Sequence, residues 1–209
     1  ERGVFDLDWL ANYLEHNGQR VALMSLMWVN NETGVIADIP AITELASKYG
    51  VPVHSDAVAA FGHIPIAFAA SGLAAMSISA HKIGGPVGAG ALLVRRSVKL
   101  TSLVHGGGQE RGMRSGTMDA AGATSFALAA VLACAEIDSE TQRLADLAER
   151  VVDGVTAAAP DAVLSRGDAL GLPGTVHFTF PGCSADSLIF LLDAAGVSVS
   201  AGSACTAGV

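Results

Sequence analysis

Three short, nearly charge-free runs in the first part of the chain each end on polar side chains. Residues 21–29 are almost continuously apolar and lead into Asn30 and Asn31. The run 51–55 stops at Asp56, and the run 74–80 stops at His81 and Lys82. A short, unbroken apolar run suits a strand buried on both faces of a parallel sheet. The stretches between and before them have a helical period. Residues 6–17 place Leu7, Leu10, Ala11 and Leu14 on one face, and Gly18 stops that helix. Residues 39–49 carry Pro40 in the first turn and put Ile42, Leu45, Ala46 and Tyr49 together before Gly50. A small helix over 67–71 and a strand over 89–94 complete the pattern. Such alternation predicts an open, mostly parallel α/β sheet. Ligands of these sheets sit at the carboxyl ends of the strands. All three polar clusters fall there.

The later sequence changes character. A long, flexible polar loop containing His105 to Arg111 passes through Arg114, Ser115 and Gly116 to Thr117, which opens an apolar helix running to about 135. An amphipathic helix follows over 138–159, with Leu144, Leu147, Val151, Val152 and Val155 apolar, and Pro160 closes it. Strands are expected at 163–164, 175–180 and 197–200, with a helix over 184–194. The expected organisation is a large domain over 1–135, a connecting helix over 136–159 and a small domain over 160–209. The chain starts as if inside a sheet domain and stops in a small-residue loop, so it reads as a piece of a longer protein.

Composition narrows the function. The 209 residues are 51% hydrophobic and only 15% charged, with formal net charge −8. With no basic run, nucleic acid is not the expected partner. The charge-poor stretches 57–80 and 120–135 are expected to be buried core rather than lipid spans, the second being too short to cross. Three cysteines, Cys134, Cys183 and Cys205, make no disulfide framework and no zinc spacing. A reducing, cytoplasmic setting and no metal follow as expectations. Cys134, inside the apolar helix, has the setting of a structural cysteine, and Cys183 that of a turn residue. Cys205, among small residues in a loop, has the access that a working thiol needs.

The strand-end residues suggest one chemistry. Lys82 precedes two glycines, which let backbone approach a ligand closely. Its amine could form a Schiff base with a cofactor aldehyde. Asp56 could hold the protonated nitrogen of a pyridoxal ring. Ser79 and His81 could donate to a phosphate, and a helix opening at Thr117 could add backbone donors. Taken singly, each has an ordinary reading: a surface lysine, a turn-capping Asp, a capping Thr.

Five motifs together go further. Val29-Asn30-Asn31-Glu32-Thr33-Gly34, His54-Ser55-Asp56-Ala57, Ser77 to Pro86, His105 to Thr117 and Ser200 to Cys205 resemble those of cysteine desulfurases of the NifS/IscS type. These are class V, fold-type I pyridoxal-phosphate enzymes. The resemblance implies a mostly parallel, seven-stranded-type large domain sandwiched by helices, with part of a small α+β domain behind it. It implies Lys82 as the Schiff-base lysine and proton carrier, Asp56 on the pyridine nitrogen, and Ser79 and His81 on the phosphate. Thr117 would reach the phosphate of the partner subunit in a homodimer, and Asn31 would lie near the cofactor's phenolic oxygen. Cys205 would take sulfur from L-cysteine as a persulfide, leaving alanine, and pass it to an iron–sulfur scaffold or another acceptor protein. The sequence departs from the pattern at Ala59, where the family usually has Gln. The family's N-terminal and C-terminal parts are also absent from this sequence. Another class V aminotransferase, a selenocysteine lyase and a non-catalytic partner-binding fragment are the alternatives.

Overall fold

The computed structural model describes residues 3–203. They form two compact units, one of residues 6–28 and 38–138, the other of residues 3–5, 29–37 and 139–203.

The first unit is built on a four-stranded sheet of β1 (Met24–Met27), β2 (Val53–Asp56), β3 (Ala75–Ser79) and β4 (Gly90–Val94), in that spatial order. β1, β2 and β3 are mutually parallel, and β4 returns antiparallel on β3. The sheet is thus mostly parallel, as the sequence predicts. Helix α1 (Leu7–Asn17) starts at Asp6, whose carboxylate accepts the Trp9 N–H. Helix α2 (Ile39–Ser47) starts at Asp38, which caps the Ala41 N–H, with Pro40 in its first turn. Leu10 and Leu14 of α1 and Ile39, Ile42 and Ala46 of α2 are buried. So are Val53, Leu73, Met76 and Ala80, and this is where the core lies. Gly18 closes α1 against Tyr49; a Cβ there would sit 2.9 Å from the Tyr49 Cβ. The buried Thr43 hydroxyl lies 2.8 Å from the Ser71 carbonyl, tying α2 to the loop before β3.

The expected helix over 67–71 is a series of turns. The six residues between Pro65 and Gly72, the latter at φ +78°, are too few to make a stable helix. Their polar groups are met otherwise: the Ser71 hydroxyl donates to the Phe68 carbonyl, and the Arg95 guanidinium donates to the Ala69 and Leu73 carbonyls.

Helix α3 (Ala120–Ala158) is one continuous helix of 39 residues, not two. Nothing in Glu136-Ile137-Asp138 breaks a helix, since neither Gly nor Pro stands there. Thr117 does not open it. That residue lies in the preceding exposed loop, and the Asp119 carboxylate accepts the Gly122 N–H. The expectation that 120–135 is buried core is also corrected. Phe126 is buried against Phe61, and Cβ atoms at Gly62 and Gly85 would crowd Ala133 and Ala129. The opposite stripe of Leu128, Val131 and Leu132 is 55–66% exposed. Among the described residues α3 is the one helix long and apolar enough to cross a membrane by length and composition, with 6% of its apolar window buried. Cys134 is exposed on it rather than buried.

In the second unit, the turn after β1 is stitched to residues 170–175. Val35 bridges Gly171, the Leu172 N–H reaches the Gly34 carbonyl, and the Ile36 N–H reaches the Leu170 carbonyl. A two-stranded antiparallel ribbon of β5 (Val163–Leu164) and β6 (Phe178–Thr179) follows. Helix α4 (Ala185–Ala194) is capped by Ser184. Cys183 closes a turn on the Phe180 carbonyl and is exposed. Residues 197–200, expected as a strand, have no strand partner among the described residues. Val197 instead continues the end of α4 by donating to the Leu192 carbonyl.

Candidate functional site

Strand alternation sorts β2 into two faces. Val53 and Ser55 are buried on one, leaving His54 and Asp56 on the other, half-buried. The register sets Asp56 opposite Ser77 of β3, so Ser77 and Ser79 share its face. A hydrogen-bonded row crosses three strands there. His54 Nδ1 lies 2.8 Å from the Ser25 hydroxyl of β1, and His54 Nε2 lies 2.9 Å from the Ser77 hydroxyl. The sequence reading did not single out this row. Ser25 is in register with His54, whereas Ser77 is in register with Asp56, so the His54 ring reaches Ser77 diagonally across the same face.

Asp56 ends β2. Its Oδ1 accepts the Val58 N–H at 2.9 Å, an Asx turn that fixes the carboxylate, and its carbonyl accepts the Trp28 N–H. Ala59 lies in that turn and has no side-chain donor. The chain then returns through β3 into a tight turn over Ala80–Ile83. Ala80 is buried, and its carbonyl accepts the Gly85 N–H at 2.9 Å. Gly84 takes the left-handed conformation, φ +77°, that closes the turn. Gly85 packs so tightly that a Cβ would lie 2.8 Å from the Ala80 Cβ. The turn leaves His81 and Lys82 exposed one step beyond the strand end. His81 Nδ1 and the Ser79 hydroxyl are 2.6 Å apart, and the His63 ring lies 3.2 Å from the Lys82 carbonyl. Among the described residues, neither the Lys82 ammonium nor the Asp56 carboxylate is in an ion pair.

The other predicted positions are placed separately. Thr117 is exposed after a loop that folds on itself. Buried Ser115 accepts the Gly108 N–H, and the Gln109 amide oxygen accepts the Gly116 N–H. This loop is knitted by internal hydrogen bonds rather than structureless. Glu110 and Arg111 both sit at positive φ within it. Asn31 belongs to the second unit and is exposed. Asn30 builds the turn there, its Oδ1 accepting the Glu32 and Thr33 N–H groups. Cys205 lies outside the described residues.

All of residues 1–209 match the Aminotransferase class-V family. The chain belongs to the class-V aminotransferase family. Among curated relatives, the chain is 52% identical over 190 residues to an IscS-like cysteine desulfurase of Mycobacterium tuberculosis, covering 90% of this chain and 48% of that one. It is 39% identical over 204 residues to cysteine desulfurase IscS of Dictyoglomus turgidum, covering 98% and 51%. The chain therefore spans about half the length of these relatives. Among solved structures, a NifS-like protein from Rickettsia africae superposes with a TM-score of 0.90 at 34% identity, over 97% of this chain and 56% of that one. The class-V fold is that of pyridoxal-phosphate enzymes. The donor set here fits that group. It provides an unpaired amine, a fixed carboxylate on the neighbouring strand, and a hydroxyl–imidazole pair beside a glycine turn.

Proposed function

We propose that this chain is part of a pyridoxal-phosphate-dependent cysteine desulfurase that converts L-cysteine to L-alanine and keeps the sulfur as a persulfide on Cys205. One observation carries the reading: Asp56 and the turn bearing Lys82 extend the carboxyl ends of two adjacent parallel strands, and neither charge has a protein counter-ion among the described residues. The names of the curated relatives support it.

In this proposal Lys82 is the covalent anchor, Asp56 faces the ring nitrogen, and Ser79 and His81 take the phosphate. Asn31 contributes near the ring oxygen, and Thr117 reaches the phosphate held by a second copy. When bound, pyridoxal phosphate supplies an electron sink next to the substrate's amino group. The Asp56 carboxylate keeps a proton on the ring nitrogen, which maintains that sink. The Lys82 amine takes and returns the proton at the substrate's α-carbon. The Cys205 thiolate forms a bond to the substrate sulfur as the carbon–sulfur bond breaks. That bond's electron pair stays with the carbon, which is protonated to give alanine. Cysteine and the Cys205 thiol thus become alanine and a Cys205 persulfide, ready for an iron–sulfur scaffold or another acceptor. A cytoplasmic, reducing setting belongs to the same proposal, since it would keep that thiol free. So does a homodimer, supported by the exposed apolar stripe of Leu128, Val131 and Leu132.

Two variants of the full-length protein test the reading. Lys82→Ala is expected to abolish the visible absorbance of bound pyridoxal phosphate. Cys205→Ala is expected to keep that absorbance and lose sulfide release from L-cysteine. Retained sulfide release in Cys205→Ala, or a wild-type protein with no such absorbance, would overturn it.

A further inference from the structure

Glu32 is an exposed carboxylate with no cationic partner among the described residues, and it does have a bonding partner. Its Oε1 accepts the backbone N–H of Ser203 at 3.1 Å, across 171 residues of sequence and within one compact unit. Both sides of this bond are prepared. On one side, the Asn30 side chain holds the Glu32 and Thr33 N–H groups, and the Asn30 carbonyl accepts the Gly34 N–H at 2.9 Å. Gly34, at φ +75°, lies so close to Thr175 that a Cβ would sit 2.8 Å from the Thr175 Cβ. Glu32 therefore projects from a turn clamped to the rest of its unit. On the other side, the Ser200 hydroxyl donates to the Gly202 carbonyl at 2.6 Å and lies 3.3 Å from the Gly202 N–H. That local turn sets the Ser203 N–H at its end. The bond from the Glu32 carboxylate is charge-assisted, which makes it one of the stronger kinds of backbone contact.

We propose that Glu32 is a positioning residue whose carboxylate docks the segment 200–203 and thereby fixes the base from which Cys205 follows two residues later. This rests on the desulfurase reading for its consequence, because there the cysteine must meet substrate sulfur and afterwards an acceptor. Glu32 touches neither; it acts through the backbone of the segment. A carboxylate suits the task better than an apolar contact, because a single hydrogen bond can be broken and remade as the segment delivers its sulfur.

The test is amide hydrogen exchange of the peptide containing Ser203 in the full-length protein, alongside single-turnover persulfide formation on Cys205. Glu32→Ala is expected to speed exchange at Ser203 about tenfold, as loss of a hydrogen bond to a charged group should. It is also expected to slow persulfide formation while leaving cofactor absorbance unchanged. Glu32→Gln, which keeps an acceptor oxygen, is expected to restore exchange to within about threefold of wild type. Unchanged exchange in Glu32→Ala overturns the proposal, as does an equal effect of Glu32→Gln. A wild-type protein that forms no persulfide defeats the desulfurase reading instead, and the exchange comparison still decides the docking.

Discussion

Ser55 shows how one residue position can be over-determined. Strand alternation puts its side chain on the buried face of β2, fully out of water, where its hydroxyl has no hydrogen-bond partner. An unmet buried hydroxyl costs about 1–3 kcal/mol. Ser55→Ala is therefore expected to raise stability by about 1 kcal/mol in a urea titration, since it removes the orphan while leaving only a small void. Its neighbours are on the other face, where both His54 ring nitrogens meet serine hydroxyls and Asp56 Oδ1 accepts the Val58 N–H. The sequence marks Asp56 and Lys82 because a strand end followed by glycines is a local pattern. It does not mark the Ser25–His54–Ser77 row, which exists only once three strands separated in sequence are set in register.

At the scale of elements, the turn after β3 is the tightest piece of the candidate site. Gly85 tolerates no side chain: an added Cβ would meet the Ala80 Cβ at 2.8 Å and the Ala80 carbonyl oxygen at 3.0 Å. Overpacking of this kind costs about 1–3 kcal/mol. Gly85→Ala is expected to lower the urea midpoint accordingly and to weaken retention of pyridoxal phosphate, measured by dialysis. In the sequence the glycines of this turn read as allowing close backbone approach to a ligand; the structure shows that one supplies a left-handed bend and the other close packing. The short strands and the helical periods of α1 and α2 were equally legible, as was Pro40 in the first turn of α2, while the caps Asp6 and Asp38 were not singled out. The 67–71 segment was not, because its backbone partners include Arg95, more than twenty residues away.

The whole molecule leaves one feature unaccounted for by its own packing. The inner stripe of α3 is covered, while Val131 is 66% and Leu132 55% exposed on the outer one. If the proposed second copy covers this stripe, Val131→Glu and Leu132→Arg are expected to shift the mass in light scattering from dimer to monomer. They should leave the helical circular dichroism intact. A wild-type protein that is monomeric at micromolar concentration would remove the homodimer from the proposal.

The sequence by itself determined most of the element types and the mostly parallel sheet, because periodicity and glycine turns are written over a few residues, and it marked the polar strand ends as candidates. Tertiary structure alone decided which face of α3 is buried. It alone paired His54 with two serines and brought Glu32 to the Ser203 N–H. Each of these depends on surfaces meeting across long sequence separations, and composition cannot say which apolar stripe finds a neighbour. Lys82 and Asp56 could be found from local pattern, whereas Glu32 could be found only from the fold.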